Sequence, residues 1–87
     1  MKVKLKVLYF ASIREKVGRD AEDIDVPADI ATIAGLRNHL RGRGGAWAEA
    51  LANGKLLRMA INQDMVPATA AIKAGDEVAF FPPVTGG

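Results

Sequence analysis

Apolar and polar residues alternate from the first residues of the chain, with Val3, Leu5, Val7 and Tyr9 on one parity and Lys2, Lys4 and Lys6 on the other. Successive side chains of an extended strand point to opposite faces, so the pattern predicts a half-buried strand over Lys2–Phe10 with a solvated lysine face. Ala11–Val17 changes to helix-tolerant residues and stops at Gly18, which predicts a short helical turn or loop and then a break. Ile24 and Val26 next alternate with acids, as a second, antiparallel strand over Glu22–Val26 would.

After Pro27 the period lengthens. Ile30, Ile33, Leu36 and Leu40 form one apolar helical stripe, Arg37, Asn38 and Arg41 face away from it, and Asp29 and Thr32 are both suitable N-caps. Gly42, Gly44 and Gly45 end this helix, since glycine accepts the left-handed backbone of a C-cap without a Cβ clash. Trp47 and Leu51, four apart, anchor a further helical turn within Ala46–Ala52. Period two returns over Lys55–Asn62, with Leu57, Met59 and Ile61 on one face, and Asn62-Gln63-Asp64 turns the chain into Met65 and Val66 as a hairpin. Ala74-Gly75-Asp76 makes another turn before a last strand, Glu77–Phe81, which Pro82 and Pro83 end by withdrawing the N–H groups a ladder needs. The order predicts an α+β layout, a mixed sheet with one main helix packed across it. The first and last strands are candidates for a parallel pair at its centre.

Composition narrows what such a domain can do. The 87 residues suffice for one small domain, and 25% charged with 49% hydrophobic residues is a folding composition. A net charge of +2, without basic residues interleaved with stacking aromatics, gives no nucleic-acid signature. The absence of cysteine removes disulfides, thiolate metal sites and any persulfide on this chain. No apolar run approaches the roughly 18 residues of a membrane span, and the expected setting is cytoplasmic. His39 is the single histidine and reads as a boundary or surface residue, so no catalytic triad can be assembled. Asp20, Glu22, Asp23 and Asp25 read as the wet edge of a strand and not as a metal site. The glycines at 42, 44 and 45 lack the lysine and the preceding strand of a phosphate loop.

The C-terminal region is different. With Val78 and Phe80 inside, Phe81 faces outward; with Val7 and Tyr9 inside, Phe10 does too, and one of Met65 and Val66 cannot be fully buried. Two arrangements satisfy these side chains: a partner docks on them, or the Trp47 segment covers the second sheet face. Beyond them, Pro82 and Pro83 hold the backbone extended ahead of Val84-Thr85-Gly86-Gly87. A side-chain-free diglycine is either a frayed end or a handle that threads a narrow cleft and presents its carboxylate to another active site.

Leu8-Tyr9-Phe10-Ala11 with Arg14-Glu15, Gly75-Asp76-Glu77-Val78-Ala79-Phe80-Phe81, and the ending Pro82-Pro83-Val84-Thr85-Gly86-Gly87 resemble the small-subunit family of molybdopterin synthase over nearly the whole chain. The resemblance implies a ubiquitin-like β-grasp domain over residues 1–81 and an extended tail over 82–87. It implies that Gly87 is adenylated by a partner activating enzyme using ATP and then thiocarboxylated from a sulfur donor system. It further implies that the tail enters the large subunit of a heterotetramer, where the sulfur passes to cyclic pyranopterin monophosphate. On that reading the chain is a non-catalytic, sulfur-donating subunit with no permanently bound cofactor or metal. Gly86 lets the tail thread, and Phe10, Met65, Phe81 and Pro82, with Pro83, Val84 and Thr85, meet the partner. Met65 stands where an aliphatic residue is more usual in the family, a change that keeps an apolar contact with softer packing. A thiamin-pathway sulfur carrier and a ubiquitin-like protein modifier or adaptor are the alternatives that share a Gly-Gly end.

Overall fold

Strict alternation at the N-terminus becomes the longest strand of the sheet. A computed structural model describes residues 1–52, 54 and 56–83. The chain runs β1 (Lys2–Tyr9), α1 (Ala11–Val17), β2 (Ala21–Pro27), α2 (Ile33–Arg41), α3 (Gly45–Ala50), β3 (Arg58–Ile61), β4 (Asp64–Val66) and β5 (Glu77–Phe81). The sheet order is β2-β1-β5-β3-β4. β5 pairs in parallel with β1 and antiparallel with β3, so the first and last strands meet at the centre as expected.

All three helices among the described residues lie against one face of this mixed sheet. Leu5, Val7 and Tyr9 of β1 and Val78 and Phe80 of β5 point into a core completed by Ile13, Ile33, Leu36, Leu40 and Leu51. Burying side chains of this size contributes about 1.5–3 kcal/mol each, which is why the alternation decides the fold. This is an α+β, β-grasp architecture. The single expected main helix is α2, the longest, and it is joined by two shorter ones.

The boundaries follow the capping chemistry. Thr32, not Asp29, caps α2, its Oγ1 accepting the Gly35 N–H at 3.1 Å. Ile30 therefore precedes the helix and joins the core margin from a loop. Of the glycine run, Gly42 is not left-handed but ends α2 at φ −62; the positive φ angles fall at Gly44 (+76) and Gly45 (+52), where the chain reverses into α3. Arg37 does not face away. Its Nε donates to the Leu51 carbonyl at 2.8 Å and its Nη2 to that of Ala52, so this long side chain caps the end of α3. The expected strand from Lys55 begins only at Arg58, and Lys55 itself lies outside the described residues.

Glu22 departs furthest from expectation. It is not part of a wet acidic edge, because it shares parity with Ile24 and Val26, and its side chain is 9% exposed on the helix side of the sheet. The Tyr9 hydroxyl donates to its Oε2 at 2.8 Å and Arg43 Nη1 to the same atom at 2.9 Å, with Arg19 Nη1 3.6 Å from Oε1. Trp47 Nε1 donates to the Tyr9 oxygen at 3.2 Å, and the Arg43 and Arg19 guanidiniums lie 4.9 and 5.7 Å from the indole centroid. Burial by itself would raise the Glu22 pKa; the hydrogen bonds from Arg43 and Tyr9 and the charges of Arg43 and Arg19 outweigh it and hold the carboxyl below its ordinary value. Burial, reinforced by Glu22, drives the Tyr9 phenol far upward, so it remains a donor.

A carboxyl whose folded-state pKa is depressed stabilises the fold above its unfolded pKa, and that contribution is lost as pH falls through the folded value. Glu22→Gln is expected to lower unfolding stability at neutral pH by about 1–3 kcal/mol. The gap to the wild type should close in acid, below the ordinary carboxylate range, as read from urea denaturation across pH.

Candidate functional site

The face of the sheet opposite the helices divides into two halves. Cross-strand partners share a face, so the register places Lys4 beside Asp25, and Lys6 between Asp23 and Glu77. Opposite charges set across strands in this way make a solvated half. One row further on, Ala21, Leu8, Ala79, Ala60 and Met65 lie side by side and cross every strand of the sheet. Beyond that row stand Phe10, Phe81 and Arg58, with Arg58 directly paired to Phe81.

The Trp47 segment does not cover this face. Its indole is bonded to Tyr9, whose side chain lies on the helix side, and this removes one of the two coverings left open by the sequence. Phe10 is 44% exposed and Met65 54% exposed, while Phe81 is half-buried. The rings of Phe10 and Phe81 meet edge to face, with centroids 6.1 Å apart and planes at 89°. Such a pair contributes about 0.5–1.5 kcal/mol beyond its burial and fixes both rings.

Phe10 is held from both sides by backbone. Its N–H donates to the Phe80 carbonyl at 3.2 Å, and its own carbonyl accepts from Ile13 and Arg14 at the start of α1. Ala11, the next residue, adopts φ +53, a left-handed conformation costing a non-glycine residue about 1–2 kcal/mol. The abrupt turn from strand to helix aims the Phe10 ring at Phe81. Next to Phe81, Pro82 and Pro83 are partly buried, and Pro83 lines a groove of about 420 Å³ with Leu56, Met65, Val66 and Pro67.

Phe10, Phe81, Met65 and Pro83 are thus brought to the open face where the chain leaves the sheet, whereas Pro82, with the parity of Phe80, lines a cleft on the helix side with Ser12, Ile13, Lys16 and Ala50. Val84, Thr85, Gly86 and Gly87 lie outside the described residues. Leu8 and Arg58 belong to the same face, as do Ala60 and Ala79, which are buried beneath their larger neighbours; none was singled out from sequence, although Leu8 and Ala79 share the parity of Phe10 and Phe81. His39 is exposed on α2, away from these residues in the sheet. Among the described residues no three His, Asp or Glu side chains converge as metal ligands, and no helix is long and apolar enough to cross a membrane.

Residues 7–87 match the ThiS family. A molybdopterin synthase sulfur carrier subunit from Haemophilus influenzae is 54% identical over 95% of this chain and 99% of its own length. The chain belongs to the ThiS family, among the molybdopterin synthase sulfur carrier subunits. Two solved structures share the fold of this ThiS-family chain. Small archaeal modifier protein 1 from H. volcanii superimposes with a TM-score of 0.73 at 27% identity, covering 94% of this chain and 99% of the other. The complex of subunits 1 and 2 of the molybdopterin-converting factor from Helicobacter pylori contains a chain matching with a TM-score of 0.62 at 24% identity, over 98% of this chain and 100% of that one.

Adjacent aromatic residues should respond oppositely to truncation in the isolated ThiS-family chain. Phe80→Ala, at 0% exposure, is expected to cost about 3–5 kcal/mol of unfolding stability, and Phe81→Ala less than about 1.5 kcal/mol, measured by urea denaturation. Equal losses would contradict the assignment of the two faces.

Proposed function

We propose that this chain is the sulfur-donating subunit of a molybdopterin synthase, with Gly87 as the group that carries the sulfur. The observation supporting this most strongly is membership of the sulfur carrier subunits in a chain that ends Gly86-Gly87, directly after the apolar end of its open sheet face. A free carboxylate is a poor acyl donor. In a partner activating enzyme, the Gly87 carboxylate attacks the α-phosphorus of ATP, releasing pyrophosphate and leaving an acyl adenylate. A persulfide of the donor system then displaces AMP to give an acyl disulfide, and a thiol attacks the donor's sulfur, forming a disulfide with it and releasing the thiocarboxylate on Gly87.

The domain over residues 1–81 serves as the grip, and the tail over 82–87 as the arm. Phe10, Phe81 and Met65 meet the large subunit of the synthase, with Pro82 and Pro83 starting the tail in extended form and Val84, Thr85 and Gly86 threading the partner's cleft. In the large subunit's active site the thiocarboxylate sulfur is delivered to cyclic pyranopterin monophosphate, within a heterotetramer of two small and two large subunits. The chain needs no bound cofactor or metal of its own for this, and the cytoplasm is its expected place of work.

A second reading draws support from the likeness to the small archaeal modifier protein: the same activated Gly87 acyl group is passed to a lysine amine, forming an amide. Covalent adducts of the chain on many cellular proteins would favour it over sulfur transfer.

In a reconstituted system with the activating enzyme, sulfur donor and large subunit, the wild-type chain is expected to gain about 16 mass units as one oxygen is replaced by sulfur. It should also support molybdopterin formation. Deleting Gly87, or adding an alanine after it, should abolish both while leaving thermal unfolding unchanged. Undiminished molybdopterin formation by either variant would refute the proposal.

A further inference from the structure

The apolar half of the open face carries one feature that an apolar contact alone does not accommodate. Arg58 projects from β3 beside Phe81, two residues along from Ala60, which itself lies between Ala79 and Met65. It is exposed, and it also lines the groove that contains Met65 and Pro83. Of the other charges of this face, Lys4 with Asp25 and Lys6 with Asp23 and Glu77 are opposite-sign neighbours at the far half, and Lys2 stands at its far end beside Pro27, away from the apolar residues. Arg58 has no acidic cross-strand neighbour, because its register partner is Phe81. Among the described residues it takes part in no ion pair or hydrogen bond.

Directly paired side chains on a sheet stand about 4.5–5.5 Å apart at their Cβ atoms. A surface that covers the Phe81 ring therefore also covers the root of Arg58 and strips water from its guanidinium. Leaving that charge desolvated and unpaired would offset the gain from burying Phe81. We infer that Arg58 is a specificity-determining residue of the docking face, meeting an Asp or Glu carboxylate set in the apolar surface of the synthase large subunit. This inference rests on the docking reading under Proposed function and adds to it the charge of the partner. Guanidinium is suited to the role: its flat donor fork takes a carboxylate in two parallel hydrogen bonds while its stem packs on apolar neighbours. The pairing discriminates among apolar surfaces, since one without an acid at this point is penalised.

The test measures association and dissociation of the full chain with the large subunit by surface plasmon resonance at several salt concentrations, for the wild type, Arg58→Lys, Arg58→Gln, Arg58→Glu and Phe81→Ala. Arg58→Gln is expected to weaken binding about tenfold and to flatten its salt dependence, and Arg58→Glu about a hundredfold or more. Arg58→Lys should retain most of the salt dependence, and thermal unfolding should be unchanged throughout the Arg58 series. An Asp→Arg or Glu→Arg change at the facing position of the large subunit should restore binding of Arg58→Glu, which a structural role for Arg58 would not produce. If Arg58→Glu binds like the wild type while Phe81→Ala binds weakly, the Arg58 assignment falls and the docking face stands. If neither variant differs from the wild type, the docking face falls as well.

Discussion

The parallel pairing of β1 with β5 is the constraint on which the rest of the structure depends. Val7 lies beside Val78 and Tyr9 beside Phe80, and all four are at most 1% exposed. Because the strands run the same way, both end at the same edge of the sheet. The residue after the last inward position of each, Phe10 and Phe81, must then turn to the open face at that edge. One register thus buries the core and creates the aromatic pair from which the C-terminal segment departs. A shift of one residue would place Phe80 in water and Phe81 in the core.

The two faces use charge in different ways. On the helix side, Arg43 and Arg19 converge on Glu22 and on the Trp47 indole, and Tyr9 joins them to the central strand. Those charges are engaged within the chain, two guanidiniums on one carboxylate, and they hold the α2–α3 connection over the sheet. Asp76 has a similar structural role at the opposite end of β5. It is 7% exposed, accepts from the Lys73 N–H at 2.8 Å and the Asn62 side chain at 3.1 Å, and so ties the β3–β4 turn to the start of the last strand. Arg58 is not absorbed in this way, which is why it carries information for a partner.

Legibility followed the physics of each position. Period-two alternation in β1 and β5 gave the faces of Val7, Tyr9, Val78, Phe80, Phe10 and Phe81 directly, because burial at those positions is settled by parity. Glu22 has the same parity as Ile24 and Val26, yet its charge argued for solvent; its partners, Tyr9 and Arg43, are 13 and 21 residues away and leave no local trace. Arg37 was misplaced for a related reason: a long side chain on the polar margin of α2 reaches the carbonyls of Leu51 and Ala52, a contact made by tertiary placement and not by helical period. Leu56 and Leu57 continue a strand-like pattern in sequence, but β5 ends at Phe81, the register partner of Arg58, and offers no ladder beyond it. Gly86 and Gly87 have no side chains and hence no periodicity, so only their motif made them readable.

A domain of this size buries too small a fraction of its surface to enclose a large reaction chamber, and on the proposed reading the chemistry is completed in a partner. On the proposed cycle the same tail visits an activating enzyme and then a synthase, which requires docking that is specific yet released each time. A large, wholly apolar patch would bind tightly and indiscriminately. The observed surface is smaller: two rings set edge to face, an exposed methionine and one guanidinium, over Ala60 and Ala79, which are themselves buried. The rings and Met65 supply contact area, and Met65 adapts its shape to more than one surface. The guanidinium raises the rate of encounter with an acidic site and penalises surfaces lacking one, without adding apolar area that would slow release. On the proposed cycle, charge placement then does the discriminating between partners, while the apolar residues supply contact area.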